Sequence, residues 1–115
     1  MKIQDAKTAV EIFEEAALAH TEASERGDHK TANRKYSAIE QAITFLRDQR
    51  EIQLVSQLLF HESAGVRVWA ASYLLPIQEG AAVQVLKSVA SGPRGIARLN
   101  AETTLSEWQK EKLTL

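Results

Sequence analysis

The chain contains no cysteine, and among its 115 residues there are only two prolines, five glycines and seven aromatic side chains. Each shortage excludes something. Without cysteine there is no disulfide framework, no thiolate metal site and no cysteine nucleophile. With so little proline and glycine, long stretches run free of the residues that break helices. No apolar run reaches the roughly 20 residues of a membrane-crossing helix. The segment Met1-Lys2-Ile3-Gln4-Asp5-Ala6-Lys7 lacks the apolar centre of a secretory signal, so a cytoplasmic protein is the expectation. A formal net charge of −1 disfavours nucleic acid as the partner, because such domains carry net positive charge.

What the chain does contain is apolar residues at helical spacing. They make up 44% of the sequence, enough for one domain of this size to form its own core. Ile3, Ala6, Val10, Phe13 and Ala17 alternate in steps of three and four, which predicts a helix from Asp5 to Arg26. Gly27 then offers a left-handed helix end and Asp28 an N-cap. A second helix follows, with Ala32, Tyr36, Ile39, Ile43 and Leu46 inward, and the two form an antiparallel hairpin over residues 1–50. The hairpin has one acidic and one basic arm: up to Glu25 two lysines face six carboxylates, whereas Arg26 to Arg50 carries six cations against three acids. Complementary faces explain that division more simply than two binding surfaces do.

Four more helices are predicted. They run from Gln49 to Phe60, Ala64 to Leu75, Glu79 to Ser91 and Ile96 to Lys110, with Pro76 and Gly92-Pro93-Arg94-Gly95 as breaks and Glu111 to Leu115 frayed. The helix at Ala64 is apolar nearly all round, which places it in the interior, with Trp69 and Tyr73 read as core before lining of a binding groove, and the choice between the two left open. Shifted by 30 residues, its sequence from Gly65 to Leu75 aligns with Gly95 to Leu105: Gly, Ala and Leu coincide, Val pairs with Ile and Trp with Leu. A repeat of that length implies stacked helix pairs, a first over 51–76 and a second over 77–110. The expectation is an all-α domain, a compact α-α superhelix of about six helices.

A short helix, a turn, and a helix containing Val66-Arg67, Ala70-Ala71 and Leu74 resemble a HEAT repeat. More narrowly, Val66-Arg67 with Trp69-Ala70-Ala71, Leu74-Leu75-Pro76, Ala101 with Thr104-Leu105, Trp108, and Asn33 are similar to a bacterial family catalogued as domain of unknown function 2019. The resemblance implies a fold and no particular activity.

No catalytic set assembles from these residues, and no cofactor or metal is expected. His20, His29 and His61 lack any Glu-x-x-His partner spacing, and Gly92-Pro93-Arg94-Gly95 lacks the Lys-Ser/Thr of a phosphate loop. Arg67 reads first as a structural arginine. The expected function is therefore non-enzymatic protein binding, with the second repeat copy as the working surface: Arg94, Arg98, Asn100, Glu102 and Trp108. Compact bacterial solenoids of this kind resemble immunity proteins, which makes a toxin one partner class. The alternative is a nucleic-acid or other anion contact through Lys30, Arg34, Lys35 and Arg67, with the Arg94 and Arg98 end. Trp108, Leu113 and Leu115 are open to a second role, covering the end of the stack or forming a homodimer contact.

Overall fold

The computed structural model describes residues 3–113, except the side chain of Leu113, so Leu115 and the fate of that proposed end contact lie outside the described residues. The described chain is all helical: α1 (Ala6–Arg26), α2 (His29–Asp48), a 3-10 helix (Ile52–Phe60), α3 (Ala64–Leu74), α4 (Glu79–Ala90) and α5 (Ile96–Leu113). Its contacts divide it into two units, residues 1–55 and 56–115, with the division inside the 3-10 helix.

The first unit contains the hairpin. Asp5 starts α1 by accepting the Thr8 N–H at 2.7 Å, and Asp28 starts α2 by accepting the Thr31 N–H at 3.1 Å. α1 packs on α2, burying Val10, Phe13, Ala16 and Ala17 from one helix and Ile39, Ala42, Ile43 and Leu46 from the other. The alanines leave room for the larger side chains opposite. Tyr36 departs from its expected place on this stripe and is exposed. The stripe closes without it through Ala32 and Ile39, both buried.

Both hairpin helices end in the same backbone motif, and different residues make it. After α1, the N–H of Asp28 reaches the Ala23 carbonyl (2.8 Å) and that of Gly27 the Ser24 carbonyl (3.1 Å), with Gly27 at φ 74°. After α2, Glu51 reaches Leu46 (2.8 Å) and Arg50 reaches Arg47 (3.0 Å), with Arg50 at φ 58°. Glycine adopts that conformation without penalty and arginine does not. Hence Gly27→Ala lowers stability by about 1 kcal/mol, and Arg50→Gly raises it by about half that. A Cβ added at Gly27 meets nothing within 4 Å, so the first effect is purely conformational. Urea denaturation of the two variants checks both signs.

The third helix is of the 3-10 type, where an ordinary helix from Gln49 was expected. Ile52, Val55 and Leu58 are buried and stand three apart, which lines them on one edge of a helix with three residues per turn. The Leu54 N–H to Glu51 carbonyl bond (3.0 Å) and the His61 N–H to Leu58 carbonyl bond (3.1 Å) show the same spacing at its ends.

In the second unit α3 packs on α4, α4 on α5, and α3 on α5. Short connections at 75–78 and 91–95 make consecutive helices antiparallel. The turns at 61–63 and 91–95 therefore share one end of the unit, while the 75–78 turn and the last turns of α5 share the other. Ser63 caps α3, accepting the Val66 N–H at 3.4 Å. Val66, Val68, Ala70, Ala71 and Leu74 of α3 are buried, as are Ala82, Leu86 and Val89 of α4 and Ala101 of α5. Trp69 and Tyr73, left open between core and groove, are partly buried. They stack on each other, with ring centres 6.2 Å apart and planes 19° apart. α5 is helical through Leu113, beyond the expected fraying point, because Lys112 is tied to Glu79 at the start of α4 (2.7 Å).

Candidate protein-binding surface

No polar or charged side chain is buried among the described residues, so every polar side chain described is at or near the surface. The sequence repeat has a geometric counterpart there. Arg67, near the start of α3, donates from one guanidinium nitrogen to the carbonyls of His61 (2.7 Å) and Glu62 (3.1 Å). Arg98, near the start of α5, donates to the carbonyl of Gly92 at 3.2 Å. Each arginine reaches back six residues to tie the preceding turn to its own helix. The pair is offset by one residue from the 30-residue alignment, which matches Arg67 with Ala97. That alignment also matches Gly65, buried inside α3, with Gly95, which stands before α5 at φ 154°. The conserved geometry is the arginine tie, and the glycines play unlike parts.

The five residues expected to form the working face do not share one. Arg98 and Glu102 stand one turn apart, with nitrogen and oxygen 3.9 Å apart. Asn100 lies two residues on from Arg98, hence about 200° around α5 on the opposite flank. Arg94 is exposed in the 91–95 turn. Trp108 is partly buried at the other end of the unit, its indole N–H donating to Glu79 Oε2 at 2.7 Å.

The anion set divides as well. Lys30 and Arg34 are exposed one turn apart on α2 and Lys35 is half-buried beside them, whereas Arg67 belongs to the second unit and is engaged by backbone carbonyls. Arg34 also donates to the Thr31 hydroxyl at 3.1 Å. The histidines have separate surroundings: His61 Nδ1 accepts the Ser63 N–H at 2.9 Å, and His20 Nδ1 lies 3.4 Å from the Ser24 hydroxyl. Burial holds the His20 pKa below 6.5. Among the described residues no three His, Asp or Glu side chains are placed to share a metal ion.

Two features escaped the sequence. The first is apolar exposure at the end of the unit that holds the 61–63 and 91–95 turns: Phe60 is 87% exposed and Leu99 58% exposed. Both belong to the shared end, with Arg94. The only hint of Phe60 was its place beyond the 52, 55, 58 edge. The second is a cleft of about 300 Å³ at the opposite end, with Leu75 and Pro76 as apolar wall, Ser72 and Thr104 beside them, and Trp108, Glu107 and Glu111 from α5. A carboxylate pair flanking an aromatic, Glu107-Trp108 and Glu111, was the legible signal.

Glu79 anchors that second end. Hydrogen bonds from Lys112 first, and then from the Trp108 indole, hold its carboxyl below the ordinary 4.5. A depressed folded-state value stabilises the fold above the unfolded value and loses that effect as pH falls through the folded one. The Trp108 indole N–H resonance is therefore expected to hold constant at neutral pH and to move once the pH drops below 4.5. In Glu79→Gln that acid transition is absent; its persistence would show that Glu79 does not control the ring.

Comparison of the chain with protein families, with curated proteins and with solved structures finds no match. No helix among the described residues is long and apolar enough to cross a membrane.

Proposed function

We propose that this chain is a non-enzymatic, HEAT-like binding module, related to the bacterial domain of unknown function 2019, that recognises another protein through the end of its second unit. The observation that carries this reading is the exposure of Phe60 just before the 61–63 turn and of Arg94 and Leu99 in and after the 91–95 turn. Large apolar side chains standing in water at a joint between helices gain from being covered. Aromatic and arginine side chains are among those enriched at interface centres. The arginine ties at Arg67 and Arg98 support the reading by stiffening both turns that present this end, which lowers the ordering cost of binding.

An immunity protein for a toxin is the narrower form of the same reading, selected by a toxin gene adjoining its own. The deciding experiment is capture by the tagged full chain from its source cell, followed by mass spectrometry. One protein retained by the wild type and lost on Phe60→Ser is the expected result, and equal retention by both sinks the reading. Oligonucleotide binding that falls steeply with salt and with Lys30→Ala and Arg34→Ala would replace it by the nucleic-acid alternative.

A further inference from the structure

We infer that the third helix is a two-register element, 3-10 in its major form and α-helical in a minor one, and that its register sets which way Phe60 points; this rests on the protein-binding reading and names the device that regulates it. Length carries the argument. The 3-10 helix runs for nine residues, Ile52–Phe60. Such helices seldom exceed three or four residues, because their hydrogen bonds are poorer than those of an α-helix.

Burial does not oppose a change of register. Ile52, Val55, Leu58 and Leu59 are all buried. In the 3-10 register Ile52, Val55 and Leu58 share one edge, and Leu59 stands a third of a turn away. In an α-helix Ile52, Val55 and Leu59 follow the three-and-four spacing of one stripe, with Leu58 beside it. The same four side chains thus give either register an apolar face. Backbone bonds are left to decide between them. Bonds of three-residue span set the 3-10 register at both ends, from the Leu54 N–H to the Glu51 carbonyl (3.0 Å) and from the His61 N–H to the Leu58 carbonyl (3.1 Å). Arg67 holds the closing turn by donating to the His61 carbonyl at 2.7 Å. Phe60 is affected most by the alternative. Relative to Ile52, its side chain turns by about 160° around the helix axis when three residues per turn become 3.6.

The test is NMR relaxation dispersion on the isotope-labelled full chain. Exchange is expected along residues 52–60, with a minor form of at least about 1% whose Cα shifts lie nearer to α-helical values. The Phe60 ring carbons exchange at the same rate. Gln53 and Gln57 are exposed. Combining Gln53→Glu with Gln57→Lys raises the minor population about twofold, because a charge pair four residues apart meets on an α-helix and stands a third of a turn apart on a 3-10 helix. Neither single substitution matches that rise. Flat dispersion over 52–60, a Phe60 ring without exchange, or a population unmoved by the pair overturns the inference. Failure here with Phe60-dependent capture intact removes the register device alone, whereas the expected exchange with capture unaltered by Phe60→Ser removes the wider reading.

Discussion

Phe13→Ala lowers the unfolding free energy by about 3–5 kcal/mol, the largest stability effect expected of any single truncation in the first unit. Phe13 has no exposure and is the bulkiest side chain on the buried stripe of α1. Its neighbours on that stripe, Ala9, Ala16 and Ala17, are too small to refill the space. The hole therefore persists, and a cavity term adds to the lost transfer energy. Domains of this size are stable by only about 5–15 kcal/mol, so the variant retains a small margin. Urea denaturation followed by circular dichroism measures it. A loss below about 1 kcal/mol would mean that the hairpin collapses around the vacancy or that the ring is not its centre. Phe13→Leu, which keeps most of the volume, is expected to recover more than half the loss.

Phe60→Ser combined with Leu99→Ser has the opposite profile. Stability changes by no more than about 0.5 kcal/mol, because neither side chain contributes to the core, while affinity for the captured partner falls by about 100-fold or more. The binding estimate follows from roughly 1.5–3 kcal/mol for burying one large apolar side chain. Arg94→Ala is expected to add a smaller loss, since a charge at the border of an interface acts mainly on association rate. Isothermal titration with the purified partner separates these effects. If the double variant binds as tightly as wild type, Phe60 and Leu99 are simply exposed, and the end of the second unit is not the interface.

Helix positions were legible to within a residue or two wherever a chemical stop signal stood in the chain. Gly27 and Asp28 between α1 and α2, Pro76 after α3, and Gly92-Pro93 before α5 act through their own backbones, so their effect does not depend on distant partners. Arg50 shows the limit. It takes a glycine conformation at the end of α2, and nothing in its chemistry announces that. The strain is accepted because Glu51 and Arg50 thereby close the last carbonyls of the helix. The 3-10 type of the third helix lay in plain sight in the three-residue spacing of Ile52, Val55 and Leu58, which an ordinary helix reads nearly as well.

The candidate surface was less legible, and for a physical reason. Exposure is set by what packs against a residue, and neither Phe60 nor Trp69 carries that information locally. The repeat alignment drew attention to α5 through its substituted positions. A helix shows opposite flanks at residues two apart, so Arg98 and Asn100 could not serve one face. The cleft depends on α3 and α5 coming together, and the Trp108–Glu79 bond joins residues 29 apart in the chain.

By itself the sequence determined the all-helical class, the hairpin and its caps, and the breaks, because all of these are made by interactions within a few residues. Only the tertiary structure decided that Phe60 and Leu99 stand in water, that Trp69 stacks on Tyr73 at the edge of the core, and that Glu107 and Glu111 open onto a cleft with Trp108. Those outcomes depend on which helices meet, and packing between distant segments is the one quantity that helical periodicity leaves open.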